Sequence, residues 1–343
     1  MSSRRFYILV FFLAVIVRGF GQQDPQFTQY MHTILPINPG IAGTAGICAS
    51  MHYRQQWAGF YDLDTNGIDK HKTAPMNIML TLHAPVKALH GGLGLTVYNE
   101  TEGHQSNIAV RLAYSYKMNI GGGVLGVGPA FNLLSRKIKT GNWIFGDSGD
   151  PVFVDGIAEM DMYYGVSAGA YYEMQNKWYA GISATQIYTY GGDKINQEAK
   201  PHMYFLGGYS FDLPSNPNWE LKPCALLKTD FKTIPTIDLT MLAEWSGMYW
   251  VGLSYRAIDA VAVLGGLKPF VNSSTKALRG LEAMISYDVT TSGLMRKGRT
   301  HAGRSMGSYE VSLKYCFKIV TRPPVEAYRN TRQLGNLPID YRR

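Results

Sequence analysis

The sequence predicts an all-β protein, a transmembrane β-barrel of the outer-membrane type with fourteen antiparallel strands. Three observations carry this. Apolar and polar residues alternate with period two along most of the chain, and helical periodicity is nearly absent. The connections between alternating segments largely sort into short and long in turn, as periplasmic turns and outer loops do in such barrels, although the ninth and eleventh are short too. Charged residues are only 17% of the chain, with 37 Gly and 23 Tyr, where soluble globular chains carry roughly 25% charge. Mean hydropathy is −0.11, and beyond the N-terminus no stretch holds the ~20 apolar residues of a spanning helix. These values exclude a disordered chain, a coiled coil and a multi-helix membrane protein.

The elements follow in order. Arg4 and Arg5 precede an apolar run over 6–17, then Gly19 and Gly21 stand at the −3 and −1 positions of a cleavage site. That is the pattern of a secretory signal peptide over 1–21, with an N-terminal anchor helix as the alternative. Gln22 is not Cys, so no lipoprotein anchor is expected. Residues 22–45 hold Pro25, Pro36 and Pro39 and several apolar side chains without alternation. This segment is expected to plug the lumen or to lie on the periplasmic rim.

The barrel is expected over 46–318, with strands near 46–57, 75–84, 91–99, 106–119, 122–134, 162–175, 177–187, 202–212, 219–229, 234–245, 248–256, 259–268, 278–289 and 307–318. In the fourth strand Ile108, Val110, Leu112, Tyr114, Tyr116 and Met118 face one way, opposite Arg111 and Lys117. Lys314 and Lys318 share the polar face of the last. A barrel would turn these polar faces inward and a soluble sandwich would turn them outward; period alone does not choose. Trp57, Tyr98, Trp178, Tyr179, Trp245, Tyr249 and Trp250 lie toward strand ends, where interfacial girdles are expected.

No chemistry of catalysis stands out, and no catalytic, cofactor-binding or metal-binding residue is expected. Gly121 to Gly126 matches G-x-G-x-x-G, but a strand follows rather than a helix, so the glycines read as a hairpin. The eight His show no zinc spacing. The acids Asp147, Asp150, Asp155, Glu159 and Asp161 read as loop residues facing water, with an outer-membrane hydrolase as the weaker rival.

Three cysteines exclude a disulfide framework. Cys48, early in the first strand, and Cys316, late in the last, would meet at the periplasmic rim if the barrel closes. They are either a rim disulfide or two unrelated buried thiols.

The net charge of +8 is uneven. Arg296, Lys297, Arg299 and Arg304 stand in an outer loop with no acid, suited to lipopolysaccharide. The basic tail over 319–343, with Arg322, Arg329, Arg332, Arg342 and Arg343, suits an acidic periplasmic protein. Nucleic acid is not an expected partner of an exported chain.

The N-terminal motif is the recognisable part. Asp24, Pro25, Gln26, Phe27, Thr28, Gln29, Tyr30 and Met31, then Asn38, Pro39 and Gly43, resemble the DPQFSQYM…NPAYAG opening of the PorP/SprF family of Bacteroidetes. Tyr53 to Gly59 resembles its YRNQWAG block, and His83-Ala84-Pro85, Gly92 to Leu95 and Ala113 to Tyr116 follow at the family's spacing. Departures are His32-Thr33-Ile34, Gly40-Ile41 and Gln55. The resemblance implies a non-enzymatic outer-membrane component of the type IX secretion system. It would support export or surface attachment of specific cargo, gliding adhesins among them. Implied partners are the cargo's C-terminal signal domain and the machine's periplasmic ring lipoprotein, met through the N-terminal motif and the tail. The alternative is a plugged fourteen-stranded channel for small hydrophobic solutes.

Overall fold

The computed structural model describes residues 25–63, 70–138, 159–174, 177–192, 200–257, 259–271, 273–291 and 305–317. The predicted signal peptide, Asp24, the basic outer loop and the tail arginines lie outside them. Fourteen staves form the wall: β1 (Ile47–Gln55), β2 (Met76–Val86), β3 (Gly91–Glu102), β4 (Gln105–Ile120), β5 (Gly123–Ile138), β6 (Glu159–Met174), β7 (Trp178–Gly191), β8 (His202–Tyr209), β9 (Asn216–Thr229), β10 (Thr236–Trp245), β11 (Tyr249–Arg256), β12 (Ala260–Leu267), β13 (Leu281–Thr290) and β14 (Ser308–Phe317). Each pairs antiparallel with its sequence neighbours, and β1 pairs with β14, so the sheet closes on itself. A three-residue strand, Phe211–Leu213, continues the line of β8 against β9. A small ribbon of Tyr61–Leu63 with Lys70–Lys72 stands apart from the wall.

Polarity is inverted relative to a soluble sandwich, which answers the question the periodicity left open. On β11 Tyr249, Val251, Leu253 and Tyr255 are exposed, and Trp250, Ser254 and Arg256 are buried. On β4 Ile108, Leu112 and Tyr116 face outward while Asn107, Arg111 and Ser115 are buried. An apolar outer band over a polar interior needs hydrocarbon outside, because water would not tolerate so continuous an apolar surface.

The connections at one end are 87–90, 121–122, 175–177, 210–215, 246–248 and 268–280. The other end carries 56–75, 139–158 and 291–307 among its seven. Turns face the periplasm and loops the outside, which places the start of β1 and the end of β14 at the periplasmic rim. Gly121 and Gly122, with φ of 59° and 84°, make the β4–β5 turn, a two-residue hairpin that demands left-handed backbone at both positions. The apparent dinucleotide fingerprint is therefore a turn.

Two expectations change. Of the aromatic residues assigned to girdles, Trp178 and Tyr249 are exposed, but Tyr98 and Trp250 are buried in the lumen and Tyr179 packs there too. Strand ends carry aromatics on both faces, and one residue of register decides which. Asp161, read as a loop acid, lies inside β6 with its side chain buried, opposite Arg136 in register. The strand begins three residues earlier than its apolar pattern suggested.

The seam between β1 and β14 is tied along its inner face. Cys48 and Cys316 are register partners joined by a disulfide. His52 Nδ1 meets Ser312 Oγ at 2.6 Å, and Arg54 pairs with Glu310 at 3.1 Å.

The inverted polarity makes an asymmetric prediction. Leu253, 63% exposed, faces hydrocarbon, so Leu253→Arg is expected to destabilise the barrel by about 2–4 kcal/mol. Its inward neighbour Ser254 meets the Thr240 hydroxyl at 2.7 Å, and Ser254→Thr, which keeps that hydroxyl on the polar face, is expected to cost less than the outward charge. Denaturant titration of the protein folded into lipid bilayers checks both.

Candidate functional site

The lumen is filled by the chain's own N-terminal segment, from Pro25 to Thr44. It cannot form a strand: Pro36 and Pro39 lack amide donors and its apolar residues have no period of two. Its only regular structure is a pair of single 3-10 turns, Tyr30–His32 and Pro39–Ile41. Backbone groups of a non-strand segment in a lumen must find partners from the wall.

Toward the periplasm the wall supplies those partners directly. Arg111 donates to the Pro36 carbonyl at 2.6 Å, and Ser115 and Lys117 both donate to the Gly40 carbonyl at 2.8 and 2.7 Å. Lys117 also reaches Thr44 Oγ1 at 2.5 Å, and the Gly43 amide donates to His83 Nδ1 at 3.2 Å. Asn38 works in both directions. Its Oδ1 accepts from the Gly40 amide at 2.9 Å, capping the second 3-10 turn, while its Nδ2 donates to the Ala170 carbonyl at 2.9 Å on β6. Asp could not donate to that carbonyl and Ser could not span both groups. Gly40 and Gly126 lie back to back: a β-carbon on Gly126 would sit 2.1 Å from the Gly40 oxygen.

Along its length the plug presents apolar side chains to successive arcs of the wall. Phe27 packs with Met79, Tyr98, Ala109, Leu134 and Tyr163. Tyr30 and Ile34 join Tyr171, Tyr204, Leu206, Cys224 and Leu226. Met31 lies against the Leu242–Trp250–Leu264 cluster, and Leu35 and Ala42 against Ala113 and Ala130. His32 stacks on Trp250 with ring centroids 5.1 Å apart, and the indole N–H donates to Glu282 at 2.8 Å.

The far end of the plug is held by charge. Arg54 of β1 pairs with Asp288 of β13 at 2.7 Å and with Glu310 of β14 at 3.1 Å; Arg54 is 1% exposed and Glu310 not at all. Arg256 of β11 pairs with Asp238 of β10 at 3.1 Å and approaches Asp288 at 3.7 Å. Thr28 sits among them. Its hydroxyl donates to Asp288 at 2.7 Å and accepts from Arg54 at 2.6 Å and from Arg256 at 3.4 Å, using its full hydrogen-bonding capacity. Its amide donates to Glu310 at 2.9 Å, as the Gln29 amide does at 3.3 Å. Gln26 donates to Asp238 at 3.0 Å. These acids and arginines lie at the loop-bearing ends of their strands. The plug therefore rises from the periplasmic rim through the lumen, and Gln26 to Gln29 reach its outer third. Both ends of the barrel sheet lie at the periplasmic rim, but the chain ahead of β1 turns back upward.

The residues singled out from the N-terminal motif are accordingly internal. Phe27, Gln29, Tyr30, Asn38 and Pro39 are buried, while Pro25, Gln26 and Gly43 are half-buried. Gly43 takes φ of 75°, where a β-carbon would meet Gly92 at 2.8 Å. Cys48 and Cys316 lie at the root of the plug. Sequence reasoning missed Thr28 as the central anchor, and with it Asp238, Arg256, Asp288 and Glu310. The available signal was acid and arginine on the inward face of strands otherwise poor in charge. Among the described residues, no group of three or more His, Cys, Asp or Glu is placed to hold a metal ion.

A closed barrel with an apolar exterior, a polar interior and a plug from its own N-terminus is an outer-membrane barrel protein. Residues 19–315 match the family described as type IX secretion system membrane protein PorP/SprF, and the chain belongs to that family. No curated protein matches the chain. Several solved structures are similar at low identity. The P. putida toluene transporter TodX aligns at 12% identity over 82% of this chain and 93% of its own, with a TM-score of 0.48. A Pseudomonas aeruginosa FadL homologue gives 12%, the same coverages and 0.44. Acinetobacter baumannii Omp33 gives 9%, 80%, 99% and 0.41.

Two substitutions test the plug's anchors. Arg54→Met leaves buried Glu310 without a cation and Asp288 with only the more distant Arg256, and is expected to cost about 3–5 kcal/mol, read as a lower denaturation midpoint. Gly126→Val should unseat the plug around Gly40 while sparing the wall, seen as new proteolytic cleavage within 25–44 of the folded protein.

Proposed function

We propose that this protein is a non-enzymatic component of the type IX secretion system that supports export or surface attachment of specific cargo proteins. Family membership gives the machine, and a lumen occupied by the plug is the observation that carries the rest of the reading. Side chains that would attract attention as a catalytic set are engaged in holding the plug or the seam: the acids face arginines, and His32, His52 and His83 stack on an indole or bond to a hydroxyl or an amide. A lumen so filled also weighs against the small-solute channel.

In this reading the barrel is a membrane anchor whose two rims meet partners. The cargo's C-terminal signal domain and the periplasmic ring lipoprotein are the proposed partners, the lipoprotein at the periplasmic rim where β14 ends and the basic tail begins. Gliding adhesins are one class of cargo that fits. The arginine- and lysine-bearing segment 292–304 is proposed to meet lipopolysaccharide.

Clean deletion of the gene, with secretome and surface proteome compared to wild type, tests this. Loss of one or a few large surface proteins bearing type IX signal domains is the expected outcome. Loss of all such cargo would make the protein part of the core machine. An unchanged secretome would overturn the reading in favour of a solute channel.

A further inference from the structure

The root of the plug and the seam of the barrel meet at one bond. Gly43 and Gly46, with φ of 75° and 98°, turn the chain out of the lumen. Two residues later Cys48 is bonded to Cys316 across the seam. Of the inward-facing register pairs between β1 and β14, 48/316, 52/312 and 54/310 are joined side chain to side chain, and the last also holds Thr28 of the plug. A slip of one residue would turn Cys48 outward and break every one of these contacts. Cys48 is buried, and the periplasmic connection presses on its partner, since a β-carbon on Gly280 would lie 2.0 Å from the Cys316 oxygen.

The third cysteine decides when this bond can form. Cys224 is a buried free thiol beneath the plug, in the cluster with Tyr30. In an unfolded chain, contact probability falls roughly as loop length to the power 3/2. Cys224 and Cys316 are 316 − 224 = 92 residues apart, Cys48 and Cys224 are 224 − 48 = 176, and the bonded pair is separated by 268. The observed pair is thus the least favoured of the three, about 5-fold below Cys224–Cys316, and would form in roughly one chain in eight.

We propose that the Cys48–Cys316 disulfide is a seal set after assembly: it forms once the seam has zipped in register with the plug seated, and it then fixes both. The two thiols give up two protons and two electrons to a protein disulfide oxidant of the periplasm, which is reduced to a dithiol by thiol–disulfide exchange. The mature protein then works with its seam shut, whatever its cargo.

Pulse-chase labelling of cells, with acid quench and alkylation of free thiols, orders the events. The expected result is that the bond appears only in chains already showing the heat-modifiable mobility of a folded barrel. A Thr28→Ala/Gly126→Val variant should lag in oxidation several-fold behind its own insertion. Purified chain oxidised in urea should give the Cys48–Cys316 pair in about one molecule in eight, by mass spectrometry of linked peptides. A Cys48→Ser/Cys316→Ser variant should insert and protect its plug from protease, yet unfold in SDS at a lower temperature than wild type. Oxidation preceding heat-modifiable mobility, or equal oxidation with the plug unseated, would overturn the proposal.

Discussion

Charge placed where water cannot reach must be paired within the protein, and in this barrel the pairing is completed by the plug. Arg54, Arg256, Asp238, Asp288 and Glu310 come from five different staves. No two of those staves could close the network alone, because Thr28 supplies both the hydroxyl and the amide at its centre. The arrangement couples three things that could have been separate: closure of the sheet, seating of the plug and register of the seam. Breaking any one leaves buried charge without its full set of partners.

The plug replaces a hydrophobic core. Barrel walls this wide leave an interior that side chains alone do not fill. The usual solutions are water or an inserted segment, and here the segment brings apolar side chains to an otherwise polar lumen. Phe27, Tyr30 with Ile34, Met31 and Leu35 meet successive arcs of the wall. The wall answers with small residues where the backbone comes close, as at Gly126 beneath Gly40, and with hydrogen-bonding side chains where a plug carbonyl would be stranded, as at Arg111 and Lys117.

Much of the architecture was legible because a strand with one wet and one oily face has a strict period. Ile108 to Met118 and Tyr309 to Phe317 could be oriented from sequence up to a choice of inside and outside. The long loops and the glycine turn at 121–122 gave the connectivity. What period could not reveal is the depth to which a segment without period inserts, so the position of 25–44 was open between lumen and rim. The same limit hid Thr28, a residue whose importance lies wholly in what four strands bring to it. Tyr98, Tyr179 and Trp250 were misread because aromatic side chains serve both membrane interface and packed interior, and composition does not tell these apart.

The wall is not of even height. β4, β5 and β6 each run for 16 residues, while β8, β11 and β12 run for 8. At ~3.3 Å per residue and a tilt near 40°, the long side rises about 40 Å and the short side about 20 Å. The outward apolar band of such barrels is ~25 Å tall. A cylinder with sides so unequal meets hydrophobic mismatch on one flank only. The bilayer there must thin or the barrel must lean, at a cost of fractions of a kcal/mol for each ångström. The mismatch centres on β11 and β12, the two eight-residue staves that stand side by side, so lipid against that narrow arc meets the lowest part of the wall.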